Sequence, residues 1–229
     1  MVTVPDHRVS PVVDQRAGGA QRIPRPTTWS PGDDGPPASH PLVVDVSTIA
    51  ATLDGRHVGR PIAPAFPDAR PSAVLVALAD GGHGAEVLLT RRSEHLRNHK
   101  GEISFPGGRL DPGETPSDAA LREANEEVGL DPAEVTVIGE LDHLNTVVSR
   151  SYIVPIVARL PAPFQLEPAS PEVERVLWVP LAELVRPDTY RAERWGAQPT
   201  DRLLHFFELD DETIWGATAH MLVDLLTRL

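Results

Sequence analysis

From Ala73 onward the chain breaks into short apolar runs separated by glycine, proline and acidic residues, and the spacing inside each run predicts its conformation. "AVLVALA" (73–79) is continuous and of strand length, as in a strand buried on both faces; "GGHG" (81–84) reads as a turn and "AEVLLT" (85–90) as the hairpin partner. "GEISF" (101–105) continues the sheet, and "EVTVIGEL" (134–141), "YIVPIVARL" (152–160) and "RVLWVPL" (175–181) supply three more strands. "LAELV" (181–185) reads as a short helix and "LLHFFEL" (203–209) and "TIWG" (213–216) as extended segments. "ATAHMLVDLLTRL" (217–229), with apolar residues at helical spacing, should pack as a closing helix. Strands and helices mix without a regular βαβ alternation, so the expected class is α+β rather than a doubly wound sheet.

Upstream the pattern fades. Residues 1–41, rich in Pro, Gly, Asp and Arg, show neither period, and the expectation is a flexible tail. "LVVDVSTIAATL" (42–53) suits a short helix or strand, and the Pro-rich "RPIAPAFPDARP" (60–71) marks a boundary. The expected plan is a tail over 1–41, a lead-in over 42–71 and a domain over 72–229.

Composition narrows the chemistry. A chain of 229 residues, 41% hydrophobic, can bury one sizeable core, and the absence of cysteine removes disulfides, thiolate catalysis and cysteine zinc sites. A formal net charge of −12 argues against a nucleic-acid surface, which needs a broad basic footprint. No secretory signal and no run near the roughly 18 apolar residues of a membrane span are visible, so a cytoplasmic protein with neither nucleic-acid nor membrane partners is expected. The ending Thr-Arg-Leu loosely echoes a peroxisomal address but has the wrong first residue and reads better as a helix end.

The segment "GRLDPGETPSDAALREANEEVGL" (108–130) carries the most chemistry. Thr115 as N-cap, Pro116 in the first turn, Asp118 near the positive end and Gly129 as C-terminal cap predict a helix over 116–128. Leu121, Ala124 and Val128 fall on one face, and Glu123, Glu126 and Glu127 are expected to cluster on roughly the opposite one. Like charges at i, i+3 and i+4 destabilise a helix by a few tenths of a kcal/mol per pair, a cost that a bound divalent cation would reverse. A solvated acidic face accounts for the same spacing equally well.

Read from Gly108, the chain resembles the Nudix box G-x5-E-x7-R-E-U-x-E-E-x-G-U. Gly108, Glu114, Arg122, Glu123, Glu126, Glu127, Gly129 and Leu130 are in register, with Ala124 in a slot usually given to a larger aliphatic residue. The resemblance implies a Nudix-fold α/β/α sandwich with a mixed sheet, and hydrolysis of a nucleoside diphosphate linked to another moiety. Hard oxygen ligands suit Mg²⁺ or Mn²⁺. Glu123 and Glu127 are the expected principal ligands, and Glu126 is a further ligand or a water-orienting base. Arg122 is placed to hold Glu126 at i+4, Glu114 to brace the loop, and Glu123, Glu126 and Arg122 form the expected catalytic set.

"LLTRRSEHLRNHKGEISFPGG" (88–108) adds a second signature, L-L-T-x-R-[SA]-x3-R-x3-G-x3-F-P-G-G, which resembles that of the coenzyme A diphosphatase branch of the same family. Coenzyme A carries a diphosphate and a 3′-phosphate, for which arginine forks are suited. Arg92 and Arg97 are the leading candidates, with Lys100 or Arg91 as helpers, Phe105 as an apolar wall or a core residue, and Gly107 and Gly108 as the turn that approaches substrate or metal. ADP-ribose or NADH as substrate, and a catalytically silent nucleotide-binding module, are the rival readings. Glu172 and Glu174 are candidate bases from outside the box, against the plainer reading of solvated strand-edge charges. A small-molecule substrate is the expected partner, and homodimerisation stays open.

Overall fold

The computed structural model describes residues 16–32, 35–53 and 59–229. In chain order the elements are β1 (Trp29–Pro31), α1 (Val46–Leu53), β2 (Arg70–Gly81), β3 (Gly84–Arg92), β4 (Ile103–Ser104), β5 (Gly107–Arg109) and α2 (Pro116–Val128). A 3-10 turn at Pro132–Glu134 leads to β6 (Thr136–Glu140), β7 (Leu144–Asn145), β8 (Ser151–Arg159), β9 (Val173–Pro180), α3 (Leu181–Leu184), β10 (Tyr190–Trp195), β11 (Arg202–Glu208), β12 (Thr213–Trp215) and α4 (Gly216–Leu226).

The continuous apolar run of β2 has the cause its composition suggests: both faces of the strand are covered. Ala73, Leu75, Ala77 and Ala79 face one core with Ala119, Ala120, Ala124 and Val128 of α2. Val76 and Leu78 face a second core with Val46, Ile49 and Leu53 of α1 and Leu222 and Leu225 of α4. The sheet between them runs β4-β3-β2-β8-β6, with β9 beside β3, β5 beside β2 and β7 beside β8. β2 and β8 are parallel, Leu75 opposite Ile156, while β3, β5 and β6 pair antiparallel, so the sheet is mixed. A helix layer on either side makes the α+β, α/β/α architecture that the sequence pattern and the family resemblance imply. Among the described residues no helix is long and apolar enough to cross a membrane.

α2 begins and ends where its punctuation indicates. Thr115 is extended and its hydroxyl accepts from the Asp118 N–H at 3.2 Å, while Gly129 adopts φ 70° and its N–H donates to the Asn125 carbonyl at 2.9 Å. The small residues of α2 against those of β2 let the helix sit close to the sheet.

The upstream plan is where the structure departs most from expectation. Residues 1–15 of the expected tail lie outside the described residues, but the stretch from Arg16 to Pro31 is anchored. β1 pairs with β10, Trp29 opposite Trp195, in a four-stranded antiparallel sheet β1-β10-β11-β12. In the lead-in, Val46, Ile49 and Leu53 of α1 are buried in the second core, so the packed unit begins well before Ser72. Neither segment has a local signal strong enough to show this, because each is stabilised by residues more than a hundred positions away or by the far face of the sheet. β10 escaped the pattern for another reason: "YRAERW" carries Arg191, Glu193 and Arg194 in place of an apolar alternation. Its charges are satisfied by Glu208, Arg25 and Asp201.

Ala124 is fully buried at the α2–sheet contact. Ala124→Leu is expected to overpack that contact and cost about 1–3 kcal/mol, seen as a lower urea midpoint with an unchanged denaturant slope.

Candidate active site

The site forms where β5 brings a glycine pair beside α2. β5 lies antiparallel to β2, with Gly107 opposite Val74 and Gly108 opposite Ala73. A Cβ on Gly107 would stand 2.6 Å from Val74 Cα, and one on Gly108 would stand 2.7 Å from Glu123 Oε2. At Gly107 the backbone therefore approaches the strand at a distance only glycine allows, and at Gly108 any side chain would have to displace the Glu123 carboxylate. The Gly107 N–H donates to Glu127 Oε2 at 3.3 Å.

The three box carboxylates occupy three different environments, which corrects the expectation of one shared face opposite the apolar stripe. Glu127 is 7% exposed and counted among the buried residues of the helix, Glu123 is half-buried and Glu126 is exposed. Helical geometry gives the reason: three residues on from Ala124 is about 300° of rotation, which brings Glu127 within about 60° of the buried face. Burial pushes the Glu127 carboxyl up to about 7, and the charges of Glu123 and Glu172 add to the rise while the Gly107 N–H and Arg92 oppose it. Burial also raises Glu123, with Arg122 opposing and Glu126 and Glu172 reinforcing.

Arg122 is the brace of the site. Its Nε and Nη2 donate to Glu114 at 2.9 and 3.1 Å, Nη2 also donates to the Arg109 carbonyl at 3.0 Å, and Nη1 donates to Glu123 at 3.0 Å and Glu126 at 3.3 Å. The expected Glu126 pairing is present but is one of the longer of these bonds. Glu114 accepts in addition from the Asp111 N–H at 2.9 Å, so the loop before α2 is tied to the helix through one guanidinium. Within this arrangement Arg122 orients carboxylates and the loop.

The basic stretch divides in two. Arg92 sits at an irregularity in the β3–β9 pairing, with Nη2 donating to Glu172 at 3.1 Å and Nη1 4.0 Å from Glu127, the latter too long for a hydrogen bond. Glu172 thereby joins the carboxylate group from outside the box, whereas Glu174 lies 3.8 Å from Arg91. Arg97 and Lys100 are exposed on the loop after β3 and make no ion pair among the described residues. Phe105 is 2% exposed and belongs to the second core with Leu89 and Ile103, so it is a packing residue and not an exposed apolar wall. The inward alternation of Ile103 and Phe105 about Ser104 is the cause.

Among the described residues no group of three or more His, Cys, Asp or Glu side chains is drawn together as a cation site. The donor chemistry nevertheless fits a hard divalent ion. Glu123, Glu126, Glu127 and Glu172 offer only oxygens, and Glu127 is a buried carboxylate whose ion pair with Arg92, at 4.0 Å, is long, so that a cation would compensate its charge further.

The NUDIX domain profile matches residues 69–203. The chain is similar to Nudix hydrolase 3 of Caenorhabditis elegans, 42% identical over 120 residues, covering 50% of this chain and 49% of the relative. It is similar to the peroxisomal coenzyme A diphosphatase of Mus musculus, 38% identical over 142 residues, covering 61% and 59%. An uncharacterized Nudix hydrolase of Photorhabdus laumondii is 38% identical over 141 residues, covering 61% and 74%. The chain thus spans between about half and three fifths of the length of the first curated relatives it matches. Among solved structures, a MutT/nudix family protein from Enterococcus faecalis aligns with TM-score 0.46 and 14% identity over 73% of this chain and 64% of that one.

Because the folded protein holds a proton on Glu127 up to about pH 7 and an unfolded glutamate does so only to its ordinary value of 4.5, stability is fully present below pH 4.5 and falls as pH rises through about 7. The loss by pH 8 without divalent cation should be on the order of 3 kcal/mol. Glu127→Gln should remove this decline, melting above the wild type at pH 8 and responding little to added Mg²⁺, whereas Mg²⁺ should restore the wild type; thermal melts at pH 5 and pH 8 check both.

Proposed function

This chain belongs to the Nudix family, and we propose from that premise that it hydrolyses the diphosphate bond of a nucleoside diphosphate derivative, coenzyme A or an acyl-coenzyme A. The observation that carries the substrate choice is the division of the cations. Arg92 is seated against the carboxylates, beside where a diphosphate would lie, and Arg97 and Lys100 stand exposed on the following loop with no ion pair among the described residues, where a second phosphate could reach them. Coenzyme A has its negative charge in those two places. The 38% identity to a mouse peroxisomal coenzyme A diphosphatase supports the same reading.

Glu123 and Glu127 would hold Mg²⁺ or Mn²⁺, with Glu126 as a further ligand or as the proton acceptor. A divalent cation supplies neutralisation of the diphosphate oxygens and acidifies bound water. The chain's own part is to position. Arg122 keeps Glu123 beside Gly108 and holds Glu126 through the same nitrogen, and the glycine pair would let the diphosphate approach the backbone. Arg92 has a planar fork suited to phosphate oxygens once its pairing with Glu172 is exchanged for substrate. Water attacks one phosphorus, the bridging P–O bond breaks, and the water's proton passes to a carboxylate. Glu126, exposed and, among the described residues, paired only with Arg122, has room to take it. The products are 3′,5′-ADP and 4′-phosphopantetheine or its acyl form.

With Mg²⁺ or Mn²⁺ and a panel of coenzyme A, ADP-ribose and NADH, products identified by mass should come from coenzyme A. Turnover of ADP-ribose or NADH alone would replace the substrate and keep the reaction. Absence of any turnover, with ligand binding unchanged in Glu123→Gln, would point to a silent module. In an active enzyme Glu123→Gln should lower kcat roughly 10²–10³-fold. Arg97→Ala should weaken coenzyme A roughly 10-fold or more and leave the analogue without the 3′-phosphate nearly unchanged; equal losses would remove the assignment of Arg97.

A further inference from the structure

One fully buried carboxylate takes no part in the chemistry above. Glu212, in the turn between β11 and β12, accepts from Arg175 Nη1 at 3.2 Å and Arg91 Nη1 at 3.5 Å, and from the side-chain amide of Gln21. Gln21 belongs to the stretch whose composition suggests a free tail. Its amide nitrogen also donates to the Gly101 carbonyl at 3.1 Å, and its amide oxygen accepts from the Thr213 N–H at 2.9 Å. The approach to this seat is tight. A Cβ on Gly19 would stand 2.6 Å from the Asp211 carbonyl oxygen, and the Gly19 N–H donates to Thr213 Oγ1 at 3.0 Å. Outside it the segment is held by Arg16 on Glu183 at 2.9 Å and by Arg25 on Glu193.

Gly101 closes the loop that carries Arg97 and Lys100. Its N–H donates to the Arg92 carbonyl at 3.1 Å, its φ is 63°, and its carbonyl is held by Gln21. Arg91, next to the proposed phosphate ligand Arg92, shares Glu212 with Gln21. We propose that residues 16–31 form a strap that positions the basic loop, with Gln21 as its clasp on Gly101 and Glu212. Gln21 touches no reacting atom; it is a positioning residue that sets where Arg92, Arg97 and Lys100 stand. This rests on the reading of the loop as the phosphate-binding part of the site.

The experiment uses the full chain in three variants, with amide hydrogen exchange over 93–102 as a readout that needs no substrate. Gln21→Ala should speed exchange in that loop and raise the KM for coenzyme A roughly 10-fold with kcat within about twofold, a split that marks lost binding rather than lost chemistry. Gly19→Ala, which pushes the strap off the Asp211 carbonyl, should reproduce both effects. Arg25→Ala, which loosens the strap at Glu193 and over Trp29 but leaves the contacts of Gln21 in place, should leave loop exchange and KM near wild type. Unchanged loop exchange in Gln21→Ala, or faster exchange with an unchanged KM, overturns the proposal. A wild type that ignores coenzyme A sinks the substrate reading alone, since loop exchange still decides whether the strap holds the loop.

Discussion

A carboxylate held almost out of water is the constraint on which this site depends. Glu127 lies at the margin of the buried face of α2, and an ionised group there is costly unless polar partners surround it. Its surroundings follow from that cost. The Gly107 N–H points at it, which requires the backbone of β5 to come close, which requires glycine and the pairing of β5 with β2. Arg92 stands off at 4.0 Å, near enough to lower the cost and too far to cancel it. A position that attracts positive charge without being neutralised by its own protein is suited to a divalent ion, and the neighbouring Glu123 and Glu172 deepen the same well.

The gradient among Glu127, Glu123 and Glu126 separates roles that sequence spacing leaves equivalent. In the proposed reaction, desolvation would strengthen the pull of the inner pair on a cation, whereas exposed Glu126 would keep the freedom a proton acceptor needs. Arg122 keeps this gradient from relaxing, because one guanidinium serves Glu114, Glu123, Glu126 and the Arg109 carbonyl together. Its planar fork, with several donors in set directions, allows such sharing; an ammonium on a flexible stem would not.

The second sheet and the strap give the molecule a division of labour. The mixed sheet and α2 carry the carboxylates, and the β1-β10-β11-β12 sheet carries ion pairs that anchor residues upstream of the domain profile. The two units meet at Glu212, whose burial makes its partners obligatory and so couples the upstream segment to the basic loop.

Much of the fold was legible in the sequence, because β2, β3 and β8 carry apolar runs of strand length within their own residues and α2 has caps within a few residues of its ends. The box residues were legible through the family resemblance, since they lie close together in the chain in the order of a known motif, whereas their spacing alone fits a solvated acidic face equally well. Tertiary structure alone decided the rest. That β1 and β10 pair, that Glu172 rather than Glu174 reaches Arg92, and that Gln21 reaches across the fold to Gly101 and Glu212 are outcomes of long-range pairing with no local pattern to announce them. The burial of Glu127 stands between the two cases. Its angle from Ala124 is helical arithmetic, but the cost of its charge exists only once the sheet has packed against that face and excluded water.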